Sequence, residues 1–77
     1  MHRILVANRY GHQVVEWETT DTAEAREQIA AAEHILREAR DKGCLVSRKE
    51  GGQHVLDTRP FDPQVEEYQI IAPIAGG

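Results

Sequence analysis

Only one stretch of this chain repeats with a helical period, and it lies in the middle. Ala25, Ile29, Ala32, Leu36 and Ala39 recur at spacings of four and three, which places them on a single stripe of a helix. Asp21 followed by Glu24 fits a capping-box-like start, the Asp accepting from an orphan amide while the Glu reaches back. Arg37, Arg40 and Lys42 sit near the other end, where positive charge suits the helix dipole, and Gly43 supplies a C-cap. The pattern predicts one helix over about residues 21–42. Its stripe is narrow and rich in alanine, so the helix can lie close against whatever covers it. A helix with one apolar side needs a sheet, and the rest of the chain has to provide it.

Residues 2–7 are rich in Ile, Leu and Val, and Asn8-Arg9-Tyr10-Gly11-His12 supplies turn residues. Gln13 to Glu18 then resumes with Val14, Val15 and Trp17. Two apolar runs split by a short Gly-containing turn predict a β-hairpin, with Val15 and Trp17 on one face and Glu16 and Glu18 on the other. After the helix, Cys44 to Arg48 reads as a third strand, Glu50-Gly51-Gly52 as a turn and His54 to Leu56 as a short fourth strand. Pro60 and Pro63 cannot sit inside a sheet, so residues 57–65 are expected as a loop. Glu67 to Ala72 forms the last strand, Tyr68 and Ile70 alternating with Gln69 and Ile71, and Pro73 ends it by removing a ladder donor. The predicted order is strand, strand, helix, strand, strand, strand: an α+β chain with a mixed sheet and one helix packed across it. A ferredoxin-like arrangement needs a second helix, and no second periodic stretch is long enough.

At 77 residues the chain has room for one hydrophobic core and little room for an enclosed active site. Residues 1–73 are expected to form the domain and 74–77 a flexible tail. The formal charge of −4, from 13 acidic and 9 basic residues, comes without any Lys/Arg cluster longer than Arg48-Lys49. Phosphate backbones reward concentrated positive charge, so nucleic acid is not the expected partner. The single cysteine cannot form an internal disulfide, and no run approaches the ~20 apolar residues of a membrane span. A cytoplasmic monomer is the expectation.

Several residues with chemical potential read more simply as structure. His2, His12, His34 and His54 offer no pair at helical ligand spacing, and Cys44 is outside any Cys-x-x-Cys, so no metal is expected. Cys44 follows the helix cap, where a small apolar side chain fits the core. Glu50-Gly51-Gly52 lacks the following Lys-Ser/Thr of a phosphate loop. The mixed Glu and Arg residues of the helix describe a solvated face. Trp17 and Tyr68, with Tyr10, could form a recognition patch, but in so small a core Trp17 and Tyr68 are expected to be packing residues.

The ending Glu66-Glu67-Tyr68-Gln69-Ile70-Ile71-Ala72-Pro73-Ile74-Ala75-Gly76-Gly77, with the element order before it, resembles the ubiquitin-like β-grasp superfamily. That superfamily includes ubiquitin, its prokaryotic relatives and the sulfur carriers of molybdopterin and thiazole biosynthesis. An acidic turn, an apolar final strand, proline and a terminal Gly-Gly are most similar to the sulfur carriers, and the tail has none of the arginines of ubiquitin's own. The predicted helix is longer than the family usually shows.

The resemblance implies that the chain is a substrate rather than an enzyme. A partner adenylating enzyme would use ATP to activate the Gly77 carboxylate, recognising Ile74, Ala75, Gly76 and Gly77, while the chain itself binds no cofactor. Two residues without Cβ would let that enzyme thread the tail through a narrow channel and close around the reacting carbonyl. The implied function is a protein modifier passed by thioester to a target protein, with conjugating enzymes as further partners. The alternatives are a sulfur carrier that forms a C-terminal thiocarboxylate for a cofactor synthase, and a non-covalent interaction domain.

Overall fold

The structure, a computed structural model, describes residues 2–8 and 11–72. Six elements follow in the expected order: β1 (His2–Asn8), β2 (Gly11–Trp17), α1 (Ala23–Asp41), β3 (Leu45–Glu50), β4 (Gln53–Leu56) and β5 (Glu67–Ile71). The strands form one five-stranded sheet in the order β2-β1-β5-β3-β4. The first and last strands pair in parallel at its centre, and every other pairing is antiparallel. Arg9 and Tyr10, and with Tyr10 its place in a recognition patch, lie outside the described residues, as do Pro73 and the tail.

The ends of α1 differ in how closely they follow the sequence pattern. The N-cap is Thr22, one residue after the expected Asp21, and its hydroxyl accepts from the Ala25 amide at 3.1 Å. That shift moves the third helical position onto Ala25, which has no carboxylate to reach back, so the expected capping box does not form. Asp21 instead accepts from Arg26 at 2.9 Å. At the other end the reading holds. Gly43 has φ 85°, the Cys44 amide donates to Ala39 (2.9 Å) and the Gly43 amide to Arg40 (3.0 Å). These are the two bonds of a Schellman cap, and the positive φ explains the glycine.

The strands reach further into the two hairpin turns than the sequence predicts, while β2 ends at Trp17 rather than Glu18, β3 begins at Leu45 rather than Cys44, and β5 ends at Ile71 rather than Ala72. β1 and β2 pair through Asn8 and Gly11, so two residues rather than five make the connection. β3 and β4 meet at Glu50 and Gln53 around Gly51 and Gly52, whose φ values of 59° and 82° suit a two-residue hairpin turn.

The core lies between α1 and one face of the sheet. Ala25, Ala32, Leu36 and Ala39 are buried along the helix, and Ile4, Trp17, Val46, Tyr68 and Ile70 come from the strands. Ile29 and Cys44 pack half-buried at its border. The loop of residues 57–65 closes the remaining side. Trp17 Nε1 donates to the Pro63 carbonyl at 2.9 Å, the Asp62 amide donates to Tyr68 Oη at 2.9 Å, and Phe61 packs between the two rings. Both buried aromatics with polar tips therefore satisfy them on one loop, as burial requires.

Ala32 has no exposed surface and sets how closely α1 approaches the sheet. Replacing it with Leu adds volume that no neighbour can vacate without leaving its rotamer. Ala32→Leu is expected to cost about 1–3 kcal/mol, measured as a lowered urea midpoint with Trp17 fluorescence as the probe. An unchanged midpoint would show that the helix has slack against the sheet.

Candidate functional site

Helix α1 covers only one face of the sheet, so the residues of the other face are set by register alone. Val14, Leu5, Gln69, Ser47 and Leu56 follow one another across all five strands. The neighbouring row runs through Ala7, Ile71 and Leu45. On the opposite side lies a charged row in which Glu16 pairs with Arg3, Arg3 with Glu67, and Lys49 with His54. The open face thus has a polar row at one end and, beyond it, rows in which aliphatic side chains stand with Gln69 and Ser47.

The apolar part is exposed to a degree unusual for its residue types. Leu56 is 70% exposed, Leu45 55%, Val14 53% and Ile71 43%. Scattered exposed aliphatics need no explanation, whereas a contiguous group on one surface marks an interaction site. Covering such a side chain fully is worth about 1.5–3 kcal/mol, so a partner that fits the face gains affinity from dehydration alone.

Glu67 anchors the charged part. Its carboxylate is almost completely buried; Arg3 Nε donates to one oxygen at 2.7 Å and His54 Nε2 lies 2.9 Å from the other. Ser47 Oγ is 3.4 Å from His54 Nδ1 and completes a chain across four strands. The hydrogen bond from Arg3 holds the Glu67 carboxyl below its ordinary pKa, prevailing over the burial that would raise it, and His54 adds to the lowering. This network ties the short outer strand β4 to the centre of the sheet. The sequence predicts His54 as a solvated or strand-edge residue and Glu67 as the first residue of the last strand. The structure keeps His54 on the edge strand but joins it to a buried acid.

The residues expected to carry the chemistry, Ile74, Ala75, Gly76 and Gly77, lie outside the described residues. What the structure places is their point of departure. β5 ends at Ile71, which pairs with Ala7 on one side and Leu45 on the other, and Ala72 after it is exposed. The chain therefore leaves the sheet from its central strand, beside the apolar row. Among the described residues, no group of three His, Cys, Asp or Glu side chains could hold a metal ion, and no helix is long and apolar enough to cross a membrane.

The apolar face is the feature that strand-by-strand reading missed, although the sequence carries its signal. Leu5-Val6, Val14-Val15, Leu45-Val46, Val55-Leu56 and Ile70-Ile71 are adjacent apolar pairs where a strand with one wet face would alternate. No protein-family model, curated protein or solved structure matches this chain.

Because its folded pKa is lowered, Glu67 contributes stability that is present above the unfolded carboxyl pKa of about 4.3 and is lost as pH falls through the folded value. Glu67→Gln is expected to cost about 1–2 kcal/mol at neutral pH. It should also flatten the acid limb of stability against pH, so that variant and parent converge in strong acid. Urea unfolding at a series of pH values tests this, and parallel curves would contradict it.

Proposed function

We propose that this chain is a ubiquitin-like β-grasp modifier whose Gly77 carboxylate is activated by a partner enzyme. The observation that carries the reading is a juxtaposition: the exposed apolar sheet face borders the point where β5 leads toward the diglycine tail. The strand order, with parallel first and last strands at the centre and one helix on one face, is compatible with a β-grasp fold and supports the same reading. A partner enzyme would dock on Leu5, Leu45, Leu56 and Ile71, and its active site would then lie within reach of the tail.

The chemistry follows from the weakness of a carboxylate as an acyl donor. A Gly77 carboxylate oxygen attacks the α-phosphorus of ATP and pyrophosphate leaves, giving an acyl-adenylate. A thiolate of the enzyme attacks the carbonyl carbon, AMP leaves and a thioester forms. A target amine then displaces the thiolate, yielding an amide after loss of a proton. The chain contributes the carboxylate and the docking face, and the enzyme contributes the catalytic groups.

The Pro73-Ile74-Ala75-Gly76-Gly77 ending supports a second reading with the same first step. Here sulfide attacks the carbonyl carbon, AMP leaves, and Gly77 becomes a thiocarboxylate after loss of a proton. The intact mass of protein purified from its host separates the two. One oxygen-to-sulfur exchange at the C-terminus marks the carrier, and an adduct with a second protein on a denaturing gel marks the modifier.

Incubation with ATP and the host's adenylating enzyme is expected to release pyrophosphate in a manner that requires Gly76 and Gly77. Leu45→Glu should lower kcat/KM for that step at least about tenfold, because a charge desolvated in an apolar interface costs more than 1.4 kcal/mol. Stability should stay within about 0.5 kcal/mol, since the site is exposed. Full host activity after deletion of Gly76 and Gly77 would refute both readings and leave a non-covalent interaction domain.

A further inference from the structure

Arg40 stands apart from the other arginines. Among the described residues, each of the others lies within 4.0 Å of a carboxylate: Arg3 of Glu67, Arg26 of Asp21, Arg37 of Glu33, Arg48 of Glu50 and Asp57, and Arg59 of Asp57. Arg40 has none. Its Nη2 donates to the Asp57 carbonyl at 2.9 Å, which occupies one of five donors. The Asp57 carboxylate, 2% exposed, is taken by Arg48 and Arg59. A cation on the last turn of a helix complements the dipole, but the dipole does not explain why a half-buried guanidinium keeps most of its donors without an acidic partner.

Arg40 also separates two grooves. On one side, Leu36, Pro60 and Phe61 contribute to a cleft of about 200 Å³ between α1 and the 57–65 loop. On the other, Cys44, Leu45, Val46, Leu56 and Thr58 line a mainly apolar cavity of about 210 Å³. Leu45 and Leu56 form the rim of that cavity and also belong to the open sheet face. The strand beside it, β4, is the outermost of the sheet, so among the described residues one side of its main chain has no strand partner.

We propose that this corner binds a short acidic–aliphatic segment of a partner protein, a carboxylate pairing with Arg40 and the neighbouring aliphatic side chain filling the cavity between Leu45 and Leu56. Charge complementarity selects the acid, since a carboxylate supplies the bidentate acceptor that a guanidinium fork matches. The mainly apolar lining selects an apolar side chain, and a Leu or Ile fits within the cavity volume. A peptide suits the place better than a free fatty acid, because the unpaired edge of β4 offers main-chain hydrogen bonds to an extended segment. The site does not depend on any chemistry at Gly77.

The test is a titration of the 15N-labelled protein with a capped Asp-Leu-Asp-Leu peptide, read by amide chemical shifts. Saturable shifts are expected at Arg40, Cys44, Leu56 and Thr58 with millimolar affinity. A capped Asn-Leu-Asn-Leu peptide should bind about tenfold more weakly, as should the Asp peptide with the Arg40→Gln variant, the loss expected for one charge-assisted bond. Leu56→Asp, at a position too exposed to affect folding, should also remove the shifts, and unchanged Trp17 fluorescence identifies folded variants. The proposal is overturned if those amides do not move, if the Asn peptide or Arg40→Gln binds as tightly as its counterpart, or if hexanoate shifts the same amides while the peptide does not.

Discussion

A single helix can cover only one face of a five-stranded sheet, and the organisation of this domain follows from that limit. Ala25, Ala32 and Ala39 bring α1 close enough that Ile4, Trp17, Tyr68 and Ile70 fill the space between. Small side chains at the contact leave less apolar area on the helix, and the strands compensate with two large aromatics. Those aromatics carry polar tips, which fixes the course of the 57–65 loop because Trp17 and Tyr68 both need partners from it. The loop is long for a connection between strands, and its path is tied to the core rather than left on the surface.

The uncovered face has two chemically different parts for related reasons. Near the start of β1 and β5, the buried acid Glu67 requires a partner for each oxygen: Arg3 supplies a charge to one, and His54 Nε2 lies beside the other. Toward the opposite end, apolar side chains remain in water. Burial of Glu67 is tolerated because both its oxygens are engaged; exposure of Leu45, Leu56 and Ile71 is tolerated because the hydrophobic core lies on the other face. That apolar part of the face borders the end of β5.

Much of the fold is legible in the sequence because local rules agree there. The helical stripe, Gly43 as a C-cap, the Gly51-Gly52 turn and the core role of Trp17 and Tyr68 each follow from a residue type at a stated spacing, and the structure has them. The N-cap differs because Asp21 and Thr22 can both accept from an orphan amide, and which one does so depends on where the chain leaves β2. The charged network is not legible. Arg3, Ser47, His54 and Glu67 come from four strands, and only the register places them together. Nor does a strand read alone distinguish which of two adjacent aliphatics faces the core. The five such pairs make sense only once the sheet is known to have a single helix on it.

The parallel pairing of β1 with β5 also governs the order in which the molecule can be assembled. The strand at the middle of the sheet is the last of the five described strands in chain order. Until it pairs, the β1–β2 hairpin and the segment from α1 to β4 share no hydrogen-bonded ladder, and Ile4 lacks Tyr68 beside it. Contacts this distant along the chain slow folding. The core around Ile4, Trp17, Tyr68 and Ile70 therefore stays incomplete until β5 is in place.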